Sequence, residues 1–142
     1  MDVYKECMKL LSDADLFESA DHQSRFSELV SCYYKYPFFS DGMCKCMFLS
    51  SWDMEHFIIM LDILNALTIE HSQNLEMMKD NGKVLEAQVE GYEKYVMQLS
   101  QSFLNDTVFE MPQEPMEAEG LHIIRQALKA ADLIDQAFEN CL

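Results

Sequence analysis

Residues 51–104 read SWDMEHFIIMLDILNALTIEHSQNLEMMKDNGKVLEAQVEGYEKYVMQLSQSFL. Ser51 is a good N-cap, and Asp53 and Glu55 follow where a first turn favours acid, so a helix is expected from about residue 52. Phe57, Leu61, Leu64, Thr68, His71, Leu75 and Met78 then recur at spacings of four and three. Asp80-Asn81-Gly82 reads as a stop. From Lys83 to Leu104 the same rhythm returns in Leu85, Val89, Tyr92, Val96, Leu99 and Phe103, a coiled-coil-like seam. Two such helices joined by three residues are antiparallel neighbours, so 52–79 and 83–104 are expected to form a hairpin ~40 Å long. Ile58, Ile59, Met60, Ile63 and Leu67 widen the apolar surface of the first arm beyond a two-helix seam, so other helices must cover it.

Those helices are expected on both sides. Asp2 opens the first, with Val3, Cys7, Leu10, Leu11 and Ala14 on one face, running as far as Phe17. Ser19 or Asp21 caps the second, which carries Phe26, Leu29, Val30 and Tyr33 before Pro37 stops it. Residues 38–50 are apolar and irregular, with Ser40-Asp41 as the cap of a short helix through Met43, Met47 and Leu49. Asn105 to Gly120 is an acidic, proline-containing linker, and Pro115 suits a helix first turn. A last helix spans His122 to Asn140, with Ile124, Ala127, Leu128, Ala131, Ile134 and Phe138 along one side. The fold class is therefore all-α: one domain over 1–142, a bundle of about five helices, with 1–50 forming the N-terminal helices, 51–104 the hairpin, 105–120 the linker and 121–142 the C-terminal helix.

Composition agrees. With 142 residues, 49% of them apolar, the chain can bury a core without metal or disulfide staples. Its five cysteines (Cys7, Cys32, Cys44, Cys46, Cys141) are odd in number and irregular in spacing, which points to free thiols in a reducing compartment. Cys44-x-Cys46 has neither zinc-knuckle nor redox-motif spacing and reads as apolar packing. The N-terminal residues show no secretory signal, and the apolar run Phe57–Leu67 is too short for a membrane span, so a cytoplasmic location is expected.

Twenty-five acidic residues against ten basic ones give a net charge of −15. Such a chain is repelled by phosphate backbones and anionic membranes, so neither nucleic acid nor membrane is an expected partner. A basic protein is. From Cys46 to Met78 there is no Lys or Arg, and Glu55, Asp62 and Glu76 recur at multiples of seven. Glu86, Glu90 and Glu93 follow at spacings of four and three, and the linker adds Asp106, Glu110, Glu114, Glu117 and Glu119. These eleven are the candidate partner-binding residues, set against the plainer view that they are solvated outer positions. Spread along ~40 Å, fifteen charges give one per ~3 Å, against one per ~1.7 Å in duplex DNA, which argues against duplex mimicry and for a local acidic patch.

Three other constellations bear on function. Asp53-x-x-His56 and Glu119-x-x-His122 each resemble the carboxylate-x-x-His step of ferritin-like di-iron bundles, with Glu6 and Glu28 as the nearest bridging carboxylates. Both lie beside, not within, the apolar stripes, so no metal ligand and no cofactor is assigned. His71 falls inside the seam, where a neutral imidazole hydrogen-bonded to a carbonyl or to Thr68 is the ordinary outcome. No nucleophile elbow, phosphate-binding glycine loop or His-Glu-x-x-His motif occurs, so no catalytic residue and no enzyme activity is assigned.

In size, helical content and acidity the chain resembles small inhibitors such as bacterial toxin-immunity proteins, antitoxins and phage-encoded anti-CRISPR proteins. The resemblance is one of composition and carries over no residue. The expected function is an acidic helical protein-binding module, an inhibitor or adaptor acting on a basic protein such as a nuclease or other nucleic-acid-binding protein. The alternatives are a structural or homo-oligomerising helical bundle, and a di-iron bundle.

Overall fold

The computed structural model describes residues 2–69 and 76–142, except the side chain of Met77. The described residues form seven helices and no strand: α1 (Val3–Asp13), α2 (Ala20–Tyr33), α3 (Asp41–Ser50), α4 (Met54–Ile69), α5 (Glu76–Gln88), α6 (Tyr92–Asn105) and α7 (Ala118–Asn140).

At the N-terminus the local signals operate as expected. The Asp2 carboxylate accepts from Tyr4 N at 2.9 Å, and the Ser19 hydroxyl accepts from His22 N at 3.0 Å, each supplying a partner for a first-turn N–H that the helix leaves free. α1 ends at Asp13, short of Phe17, because Asp15 takes a left-handed conformation (φ 55°) and turns the chain. α2 ends at Tyr33, four residues before Pro37.

The centre of the molecule is α3. Ser40 caps it through Met43 N at 3.1 Å, and Gly42, Met43, Cys44, Cys46, Met47, Phe48 and Leu49 are all buried. Seven buried positions in ten leave no polar face, so this helix has neighbours on every side: α2, α4, α6 and α7. Its one charged interior side chain, Lys45, is only 12% exposed and reaches Asp135 of α7 at 2.7 Å. α6 approaches so closely that a Cβ on Gly42 would collide with the Phe103 carbonyl. α7, about 34 Å long at 1.5 Å per residue, packs on α1, α3 and α6, and buries Ala127, Ala130, Ala131 and Ala137.

Residues 51–104 depart from the expected hairpin in three places. Ser51 terminates α3 instead of capping the next helix: its hydroxyl donates to the Met47 carbonyl at 2.6 Å. Asp53 takes over the capping role, accepting from His56 N at 2.8 Å, and α4 begins at Met54. Asp80-Asn81-Gly82 is no turn but the interior of α5. Gly82 faces the Gln101 side chain there, and a helical glycine costs only about 1 kcal/mol, which packing against α6 can offset. The turn falls instead at Gly91, whose φ of +65° is easy only for glycine. α5 therefore folds back on α6, with Gln101 Nε2 donating to Glu86 at 3.1 Å, as a pair of 13 and 14 residues, roughly 20 Å long at 1.5 Å per residue. His71 and Leu75 of the expected seam lie outside the described residues.

After α6, Asp106 takes a left-handed conformation (φ 54°) and its N–H caps the Ser102 carbonyl. Residues 107–117 then form an irregular strap without helix or strand, with Phe109 and Met116 packed on the core and Tyr95 donating to Glu114 at 2.7 Å. α7 starts at Ala118, four residues before the expected His122, so Glu119 and Gly120 belong to its first turn.

Candidate functional site

The wide apolar face of α4 is only partly covered. Phe57, Met60, Leu64 and Leu67 are buried, with α4 packed on α2 and α3, while α5 packs on α6. Between these two sets of helices lies a cavity of ≈ 340 Å³, at the lower end of the roughly 300–1,000 Å³ common for small-molecule sites. Ile59 and Ile63 of α4, Met78 and Leu85 of α5, and Val96 and Leu104 of α6 line its walls. The N-terminal pair and the C-terminal helix, expected to cover this apolar surface, leave Ile59 and Ile63 facing the cavity instead.

Cys46 and Ser100 belong to the lining as well. The Cys46 thiol donates to the Ser100 carbonyl at 3.3 Å and accepts from the Ser100 hydroxyl at 3.4 Å. Burial pushes it up to about 12, so it stays a neutral thiol at physiological pH.

Around the same cavity stand Trp52, Asp53 and His56 from the start of α4, Tyr92 and Glu93 from the start of α6, and Glu119 from the start of α7. These three helix N-termini meet because Gly120 lets α7 lie against Tyr92, where any Cβ would clash with the ring. His56 Nδ1 is 2.7 Å from Asp53 Oδ1. That hydrogen bond raises the imidazole above its usual range, against the opposing effect of burial, with Glu55 and Glu93 adding to the rise. For Asp53, burial works upward, but the His56 hydrogen bonds and the charges of His56 and Arg25 hold the carboxyl below its ordinary value. Tyr92 is raised by burial and by the nearby Glu119, Glu93 and Glu117. No lysine or arginine is among the described residues lining the cavity.

The eleven candidate carboxylates divide into groups. Glu55, Glu93, Glu117 and Glu119 gather at the meeting of the α4, α6 and α7 N-termini and are exposed. Glu90 is exposed beside the Gly91 turn. Asp106, Glu110 and Glu114 follow the strap, all exposed, with Glu114 held by Tyr95. Asp62 is exposed on α4, and Glu76 opens α5 with Lys79 3.8 Å away. Glu86 is half-buried at the α5–α6 contact. Glu86, Glu90 and Glu93 do not share one helix face as expected, because the Gly91 break separates them. Sequence reasoning missed Trp52 and Tyr92 as site residues; the surplus of apolar positions on α4 was the available signal.

The two carboxylate-x-x-His steps do not converge into a di-metal arrangement. His56 faces Asp53, while His122 Nε2 reaches Glu18 at 2.8 Å. Glu6 accepts from Asn140 at 3.1 Å, and Glu28 is exposed on α2. Among the described residues no group of three or more His, Cys, Asp or Glu side chains is placed to hold a metal ion. Nor is any helix among them long and apolar enough to cross a membrane. Comparison with protein-family models, with curated proteins and with solved structures returned no match for this chain.

Proposed function

We propose that the protein is an acidic helical binding module that acts as an inhibitor or adaptor on a basic protein, such as a nuclease or other nucleic-acid-binding protein. The observation that carries this reading is the gathering of Glu55, Glu93, Glu117 and Glu119 where the N-termini of α4, α6 and α7 meet, with Glu90 exposed at the neighbouring turn. Among the described residues none of these five is ion-paired with a lysine or arginine, so their field is available to a cationic partner. Such a field speeds encounter and selects for positive surfaces, while rim charges add little affinity of their own.

The test uses carboxylates that do not line the cavity. Tagged wild-type protein and a Glu55→Lys/Glu90→Lys/Glu117→Lys variant are used for affinity capture from the native host, with identification by mass spectrometry. The wild type should recover a basic protein that is released as salt rises several-fold above physiological strength, where the screening length shrinks toward ~3 Å, and the variant should not. Equal capture by both proteins would remove the reading.

A second reading is a homo-oligomerising bundle, favoured by one observation: Met54, Ile58 and Ile69 of α4 are 54%, 49% and 78% exposed. Light scattering after gel filtration separates the two, because an apolar self-association persists at high salt and is lost in Ile58→Asp.

A further inference from the structure

We propose that the cavity between α4 and the α5–α6 pair is a binding site for an amphiphilic monocation, a small molecule with an aliphatic chain and a protonated amine head. Its walls are mainly aliphatic side chains and methionines, with Ser50, Ser100 and Gln101 as uncharged polar positions, a lining that favours a hydrocarbon chain over water and offers a polyamine little. Its rim supplies what an ammonium group needs: the rings of Trp52 and Tyr92 and the carboxylates of Asp53, Glu93 and Glu119.

Charge complementarity fixes the sign of the head group. Asp53 is already engaged by His56 at 2.7 Å and feels Arg25 nearby, and His56 also feels Glu93, so the rim sets the three carboxylates of Asp53, Glu93 and Glu119 against one imidazole and its field is net negative. Tyr92 packs against the start of α7 at Gly120 and feels both Glu93 and Glu119. A carboxylate ligand would meet two like charges there, and a neutral alcohol would leave both unanswered. The arrangement is thus apolar in depth, aromatic and anionic at the mouth, and selective for one positive charge on one chain. The site stands apart from the protein-binding reading: partner capture is read at Glu55, Glu90 and Glu117, none of which lines the cavity, so either reading can fail alone.

Trp52 is the single tryptophan of the chain and lines the cavity, so its fluorescence reports occupancy directly. The intact protein is titrated with octylammonium, octanol, octanoate and spermidine, and the constants are checked by isothermal titration calorimetry. Octylammonium should produce a saturable change in Trp52 emission and bind about tenfold or more tighter than octanol, as a charged hydrogen bond and a cation over a ring together allow. Lengthening the chain from hexyl to octyl should strengthen binding about fourfold per methylene. Octanoate and spermidine should give no saturable change over the same range.

Two variants make the assignment specific. Glu93→Gln/Glu119→Gln should cut the preference of octylammonium over octanol several-fold while octanol itself is unchanged. Ile63→Phe, which places bulk in the cavity, should abolish both, with circular dichroism confirming a folded protein. Equal binding of octylammonium and octanol by the wild type, saturable binding of octanoate, or full octylammonium preference retained by the Glu93→Gln/Glu119→Gln variant would each overturn the proposal. So would the absence of any saturable response to octylammonium.

Discussion

The imidazole Nε2 of His22 lies 2.8 Å from the backbone carbonyl of Phe48, fully buried, and its other nitrogen, Nδ1, accepts from the Glu18 N–H at 3.0 Å. The two bonds define the tautomer: the proton sits on Nε2, and Nδ1 is the acceptor. Phe17, Phe48 and Trp52 surround the ring at 5.4, 4.6 and 4.8 Å between centroids. A neutral histidine thus joins the α1–α2 corner to the central helix without leaving a polar atom unsatisfied.

Burial lowers the His22 pKa below its ordinary 6.5. Between the folded and unfolded values the unfolded chain binds more protons, so this residue's contribution is complete above about pH 6.5 and is lost as pH falls through the folded pKa. Thermal melts of the wild type should therefore drop more steeply from pH 7.5 to pH 5 than those of His22→Gln. At neutral pH, His22→Ala should cost about 2–4 kcal/mol in denaturant unfolding, from the space left and the Glu18 N–H deprived of its acceptor.

His56 behaves in the opposite sense. The Asp53 hydrogen bond raises its pKa, so the interaction is complete below about pH 6.5 and fades as pH rises through the folded value. An NMR titration should place His56 above 6.5, and Asp53→Asn should lower it. The side chains are 28% and 51% exposed, so the effect on global stability should be small, in keeping with surface pairs.

Glycine substitutions should separate helix interior from turn and close contact. Gly82→Ala should stabilise by roughly 0.5–1 kcal/mol, since alanine is the better helix former and its Cβ would meet Gln101 only at ordinary contact distance. Gly91→Ala should destabilise by about 1 kcal/mol because of its positive φ. Gly42→Ala should cost about 1–3 kcal/mol, the obstacle being the Phe103 backbone and not a movable side chain. Urea denaturation of the three variants reads all of these, and a loss of stability in Gly82→Ala would contradict the unbroken helix there.

Thiol chemistry should follow burial. Cys32 is exposed and Cys141 partly so, whereas Cys7, Cys44 and Cys46 are buried. An aromatic disulfide reagent should titrate Cys32 rapidly and Cys141 more slowly. The other three should react only after unfolding.

Much of the outer architecture was legible because its signals are local. Asp2, Ser19 and Ser40 act on N–H groups within three residues of themselves, and Pro37 restricts its own neighbour. The central helix was not legible as the centre: Met43, Cys44, Cys46, Met47, Phe48 and Leu49 point in all directions and so show no period, although a helix surrounded on every side has no reason to show one. Gly82 and Gly91 both follow polar residues, and Asp80-Asn81 makes the first look like the stronger stop. What decides between them is the contact of Gly82 with Gln101, nineteen positions away, which no local rule can anticipate. For the site, the acidity of Glu93 and Glu119 was plain in the sequence. Their meeting at one cavity depends on the α6–α7 crossing at Gly120 and Tyr92, a non-local event.

The position of α7 also governs when the chain can fold during synthesis. Three interfaces, with α1, α3 and α6, share this one helix, and it includes the acceptor for Lys45 at Asp135 and the donor to Glu6 at Asn140. While a ribosome is still adding residues before Ala118, the faces of α1, α3 and α6 that pack on α7 are already made but lack their cover. The nascent polypeptide therefore carries part of its apolar surface uncovered until α7 has been made.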